Sequence, residues 1–221
     1  MHIRRKRPED VWRRAMLVRG MLRDAAPRLP SQKQARRKTA TRARAYFAKM
    51  RGSPSESLGI SPVEITWSFI GSLIGMGLLS WCNLELFSRT DNLLLLGTFG
   101  ASAMLLFGAP QAAFAQPRNV IGGHVVSALV GIAVVTLCGD IPHLTPAIAV
   151  AGAIAAMHAT GTLHPPGGGT ALIMATGSPV VEEFGYLAVF FPVATGAGIL
   201  VAVALVVNNF ARDRRYPVHW W

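Results

Sequence analysis

The sequence predicts an all-α, polytopic transmembrane bundle of about six segments, with helix breaks at 108–119 and 163–169. Three observations predict it. Charge is segregated: residues 1–52 hold 17 Lys+Arg against three acids, whereas residues 53–221 hold five Arg against eight acids. The body after residue 60 falls into apolar runs near the ~20 residues that one membrane crossing needs. From Leu144 to Val181 no Asp, Glu, Lys or Arg occurs, yet this stretch contains His164-Pro-Pro-Gly-Gly-Gly169.

The charge pattern divides the chain into a basic cytoplasmic arm at 1–59, a transmembrane bundle at 60–209 and a cytoplasmic tail at 210–221. Excess Lys and Arg beside an apolar body marks the cytoplasmic side and favours anionic lipid over nucleic acid as the arm's contact. Within the arm, Val11, Ala15, Val18 and Leu22 repeat at helical spacing, which predicts a surface helix over 9–26. No apolar core of a secretory signal falls near the start of the sequence, so none is expected.

Ser61-Pro62-Val63-Glu64 reads as a helix start: a capping serine, a proline in the first turn and a glutamate completing a capping box. The first span runs from about Ile65 to Cys82, with Gly71 and Gly75 spaced for close helix approach and Trp67 and Trp81 near its ends. Asp91 or Asn92 caps a second span, Leu93 to Gly108. After the break at Gly108–Asn119, a third span covers Val120–Gly139. Thr145-Pro146 starts a fourth, running to about Thr162; its Ala and Gly content predicts tight surroundings. Pro165 and Pro166 stop it near Leu163 and start a short fifth segment. The last span covers Gly185–Asn208, with a kink before Pro192.

Six crossings place the basic arm, the Arg118 loop, the His-Pro-Pro loop and the Arg-rich tail on one side, and Asp140 and Glu182-Glu183 on the other. Four is the next count. The expected location is the cell (inner) membrane, multi-pass, with both termini cytoplasmic.

The two breaks resemble one another. Gln116-Pro117-Arg118-Asn119 is followed by Gly122-Gly123, and His164-Pro165-Pro166 by Gly168-Gly169. Paired interruptions in apolar segments point to a transport site. If the breaks meet, they bring together Gln116, Arg118, Asn119, His124, His158, His164, Gly167, Gly168, Gly169 and Thr170. Arg118 supplies fixed positive charge, a helix start supplies N–H donors, and histidines donate hydrogen bonds or move protons. That set suits a small anion, carried with or without a proton. Each residue also has a plainer use: Arg118 as an interfacial anchor, the histidines as satisfied bundle residues and the glycines for close packing.

Leu163-His-Pro-Pro-Gly-Gly-Gly-Thr-Ala-Leu172 resembles the signature of the HPP family of integral membrane proteins. Phe107-Gly-Ala-Pro, Ala115-Gln-Pro-Arg-Asn-Val-Ile-Gly-Gly-His124 and Arg215-Tyr-Pro-x-x-Trp220 are similar to its other recurrent stretches. The likeness covers about 55–221 and omits the arm. It implies a membrane transporter, and in some members an association with nitrite. The family is described with several helices, often four, so six departs from it.

The reading is therefore a transporter of a small, nitrite-like anion. A metal-ion transporter using His124, His158 and His164 is an alternative, as is a non-transporting membrane adaptor that binds a partner through its arm. A homo-oligomer stays open. No nucleophile–base pair points to an enzyme, and no cofactor or resident metal is expected. Cys82 and Cys138 fall at the outer ends of their spans, so a disulfide and two separate thiols are both open.

Overall fold

The computed structural model describes residues 44–50, 59–86, 97–177 and 179–221. The chain forms two units, Met1–Leu58 and Gly59–Trp221. In the first, residues 44–49 are helical. The surface helix expected at 9–26 and the cap expected at Asp91 or Asn92 lie outside the described residues. The second unit is an all-α bundle, as predicted, with no strand among its described residues.

Helix α1 (Pro62–Leu86) begins as its capping residues require, with Glu64 N–H donating to Ser61 Oγ at 3.2 Å. Gly71 and Gly75 form the seat of one aromatic ring. A Cβ at either position would lie 2.4 or 2.8 Å from the Phe107 ring. The opposite face of α1 exposes Phe69, Leu73 and Trp81, the surface an apolar solvent would cover. Helix α2 (Gly97–Gly108) buries Thr98, Phe99, Ser102, Ala103, Leu106 and Phe107. The chain then breaks, makes a 3₁₀ turn at Ala113–Ala115, and enters α3 (Pro117–Cys138) with proline in the first turn.

Thr145 closes the next turn. Its hydroxyl accepts from Ile141 N–H at 3.0 Å and donates to the Gly139 carbonyl at 2.8 Å. Helix α4 (Leu144–Thr160) begins one residue before Thr145, so this threonine lies in the first turn and is not the cap. The helix also ends before the expected position near Leu163. Gly161 adopts a left-handed conformation, φ +64°, and stops it four positions before Pro165. Only one stripe of α4 is buried, Thr145, Ala149, Ala153 and Met157. The tight surroundings expected from its Ala and Gly content are therefore confined to one face.

Helix α5 (Pro165–Ala175) has 11 residues. At 1.5 Å per residue it is about 16 Å long, roughly half the hydrocarbon thickness of a bilayer. Helix α6 (Pro179–Phe184) leads through a 3₁₀ turn and a π turn into α7 (Thr195–Phe210). The expected kink lies at Phe191, whose φ and ψ are non-helical, immediately before Pro192. By length and composition, α1, α3 and the stretch from Val181 to Phe210 can each cross a membrane.

Hydrogen bonds gather one end of this bundle. Arg214, after α7, forms a two-pronged ion pair with Glu64 at the start of α1, with Nη2–Oε1 at 2.6 Å and Nε–Oε2 at 3.0 Å. Tyr216 O–H donates to the Ala115 carbonyl at 2.8 Å. Asn119, in the first turn of α3, donates to the Leu163 carbonyl at 2.9 Å. The start of α1, both breaks and the tail therefore share one end of the bundle. Cys82 and Cys138 are separate free thiols.

Candidate functional site

The site is built on glycine contacts. Helices α3 and α5 approach so closely that a Cβ on Gly123 would sit 2.5 Å from His164 Cβ and 2.8 Å from the Thr162 carbonyl oxygen. One on Gly131 would sit 2.5 Å from the Ala171 carbonyl oxygen. Gly167 abuts Ser127 and the Gly123 carbonyl, and Gly169 abuts Thr98. Small residues at a membrane-helix interface allow this approach, and it brings His124 of α3 and His164 of the second break to one place.

His124, in α3, and His164, capping α5, have no solvent exposure. Their rings meet edge to face, with centroids 5.0 Å apart. Ser102 of α2 lies between them, its Oγ 2.8 Å from His124 Nε2 and 2.9 Å from His164 Nε2. The other nitrogens are also partnered: His124 Nδ1 with Thr170 Oγ1 at 2.7 Å, and His164 Nδ1 with the Phe114 carbonyl at 2.7 Å. Thr170 Oγ1 is in turn 3.2 Å from Thr98 Oγ1. Ser102 Oγ is also 3.1 Å from the Thr98 carbonyl. Phe99 stands edge-on to His124, centroid to centroid 5.1 Å. A buried polar group needs such partners, and among the described residues no buried side-chain nitrogen or oxygen lacks one.

The other expected site residues are placed around this pair. Arg118 donates to the Thr160 carbonyl at 2.8 Å, at the C-terminal end of α4, and its guanidinium lies 5.9 Å from the Trp221 ring. It lines a groove of about 470 Å³ with Gly122, Thr160, Thr162, Trp220 and Trp221. The groove adjoins the histidines through chain neighbours: Gly122 packs on Thr162, and Gly123 packs on His164. Gln116 is buried and holds the tail. It donates to the Pro110 and Ala112 carbonyls and accepts from Val218 N–H at 2.8 Å.

His158 is exposed, on the α4 stripe away from the pair. The donors expected at the start of α5 are largely used. Pro165 and Pro166 have no N–H, and Gly167 N–H bonds the His164 carbonyl at 2.8 Å. Gly168 is half-buried with open space toward Val150. Among the described residues, no group of three His, Cys, Asp or Glu could hold a metal ion.

Sequence reasoning passed over Thr98 and Ser102. Both lie in what reads as an ordinary apolar span. The available signal was their spacing, since residues four apart lie on one helix face and these two are the hydroxyls of that face.

A sequence model of the HPP transmembrane region matches residues 58–217. A transmembrane protein of Dictyostelium discoideum is 42% identical over 180 residues, covering 80% of this chain and 57% of the relative. A second transmembrane protein of that organism is 40% identical over 184 residues, 80% of this chain and 63% of its own. The chain thus spans about six tenths of the length of these relatives. No solved structure matches.

Proposed function

The chain belongs to the HPP transmembrane family, a multi-pass membrane family, and on that premise we propose that it transports a small, nitrite-like inorganic anion together with a proton. The observation that supports this reading is the buried His124–Ser102–His164 cluster. His124 lies in α3 beyond the first break, and His164 lies in the second break and caps a half-length helix. Ionisable side chains within a membrane bundle are functional candidates by default, and interrupted segments mark transport sites. In this reading Arg118 draws anions to the mouth of the groove, with Thr160 and Thr162 beside it, and the histidines receive them within. Gln116 and Asn119 hold the surrounding segments. The glycines give the helices their close approach and the anion its access. The basic arm rests on anionic lipid.

The test is uptake by purified protein in proteoliposomes, comparing nitrite, nitrate, formate and chloride with and without a pH gradient. Uptake of nitrite above protein-free vesicles supports the proposal, and uptake of none of the four sinks it. The companion topology, in the cell membrane with both termini cytoplasmic, is checked by reporter fusions at Arg51 and Pro217. A fusion at Pro217 that reports the far side removes it.

A further inference from the structure

One described segment of the basic arm carries an exposed apolar face. Residues 44–49 are helical, and Met50 N–H continues the turn by donating to the Phe47 carbonyl at 3.1 Å. Helix geometry sets residues i, i+1 and i+4 on one side, so Tyr46, Phe47 and Met50 lie together. They are 59%, 63% and 62% exposed. Tyr46 and Phe47 meet edge to face, with ring centroids 5.6 Å apart. At about 100° per residue, Arg44 falls about 60° beyond Phe47, and Lys49 about 60° before Tyr46. Two exposed cations therefore flank the apolar face, one on either side.

The surrounding charge is of one sign. Between Asp24 and Glu56 the sequence holds nine Lys+Arg and no Asp or Glu. Residues 51–61 join this segment to Pro62, where α1 begins, a helix long and apolar enough to cross a membrane. At about 3.5 Å per residue, that join reaches no more than about 40 Å. A short tether makes contact with the same membrane effectively intramolecular.

We propose that the 44–50 helix lies in the surface of the membrane that α1 crosses. Tyr46, Phe47 and Met50 insert at the headgroup boundary, and Arg44 and Lys49 hold anionic phospholipid headgroups. This deepens the lipid contact proposed for the basic arm and does not depend on anion transport. An interfacial helix sinks its apolar face about 5–10 Å. Flanking Lys and Arg lay their stems along that face and reach the phosphates with their heads. Tyrosine suits the boundary, having an apolar body and a polar tip. The phosphates of a nucleic-acid duplex would meet the same charges but leave Phe47 and Met50 in water.

The test uses the full chain with Cys82→Ser and Cys138→Ser, held in nanodiscs of phosphatidylcholine with or without phosphatidylglycerol. An environment-sensitive fluorophore is attached through Met50→Cys on the apolar face or Ala45→Cys on the back of the helix. In discs containing phosphatidylglycerol, the probe at 50 should shift to the blue and be quenched by brominated acyl chains. The probe at 45 should respond far less, and high salt should weaken the response at 50. Phe47→Ser should lower the ratio of inserted to free helix about tenfold. Arg44→Gln with Lys49→Gln should lower it about 25-fold, at about fivefold per charge. Melting temperatures check that each variant is folded.

Equal quenching at 45 and 50, or equal quenching with and without phosphatidylglycerol, overturns the proposal. A probe at 50 left unquenched on anionic discs, where the arm nevertheless gains resistance to trypsin, keeps the arm on lipid and overturns the insertion. A DNA oligonucleotide, single- or double-stranded, that binds the chain in anionic discs while the probe stays unquenched overturns the membrane as partner. Nitrite uptake enters none of these outcomes, so failure here and failure of the transport reading are separate results.

Discussion

His124 and His164 meet at 62° between ring planes, and a single serine hydroxyl from a third helix contacts both. Three helices must hold register for this contact to exist, and the glycines of α3 and α5 set that register.

The glycines of the 167–169 run should therefore respond differently to alanine. A Cβ at Gly167 would lie 2.7 Å from Ser127 Oγ and 3.0 Å from the Gly123 carbonyl oxygen, and one at Gly169 would lie 2.6 Å from Thr98 Cγ2. At Gly168 the nearest atom is 3.9 Å away. Overpacking costs about 1–3 kcal/mol, whereas alanine in a helix gains up to about 1 kcal/mol over glycine. Gly167→Ala and Gly169→Ala should lower the melting temperature in detergent, and Gly168→Ala should hold or raise it. Equal effects at all three positions would contradict the packing described.

Removing the Glu64 carboxylate should be costly. The Arg214 side chain is 2% exposed and that of Glu64 is 37% exposed. Arg214 also donates to Asn208 Oδ1 and Ser68 Oγ, so it stays in place when its carboxylate is lost. Leaving a buried charge unpaired costs about 3–5 kcal/mol, somewhat less where one partner meets solvent. Glu64→Gln should destabilise the bundle strongly, and Glu64→Gln with Arg214→Met should recover part of the loss. A melting temperature unchanged by Glu64→Gln would contradict the pair's role.

Tyr216 predicts an alkaline limit. Burial pushes its phenol above the ordinary value, and the hydroxyl is bonded to the Ala115 carbonyl. The unfolded chain ionises near pH ~10 while the folded chain holds its proton. Above that pH the unfolded state binds fewer protons, so stability falls as pH rises toward the folded-state value. Tyr216→Phe should be less stable at neutral pH by about 1 kcal/mol and should show a shallower alkaline loss. Thermal melts between neutral and strongly alkaline pH measure both effects.

Much of this was legible because proline, glycine and charge punctuate an apolar chain strongly. Ser61-Pro62 opens a helix where expected and Phe191-Pro192 marks the kink, whereas α3 opens at Pro117, ahead of the expected start at Val120. The end of α4 was misplaced because Gly161 adopts a left-handed turn before the prolines can act. Glu64 was legible as a capping residue but not as the partner of Arg214, since a contact spanning nearly the whole bundle leaves no local pattern. Ser102 was missed for the same reason. Nothing near it in sequence reveals that two distant histidines converge on its hydroxyl, whereas the histidines themselves stood out beside their breaks.

In the proposed function, the histidine pair is the place where anion and proton meet. Nitrite uptake by proteoliposomes at equal folded protein, with an inward pH gradient, compares the unmodified chain with His124→Gln and His164→Gln. Loss of a group that moves protons lowers rates by about 100-fold or more. Both variants should fall that far, and Arg118→Gln, at the mouth, should fall less. Uptake unchanged in either histidine variant would contradict the account.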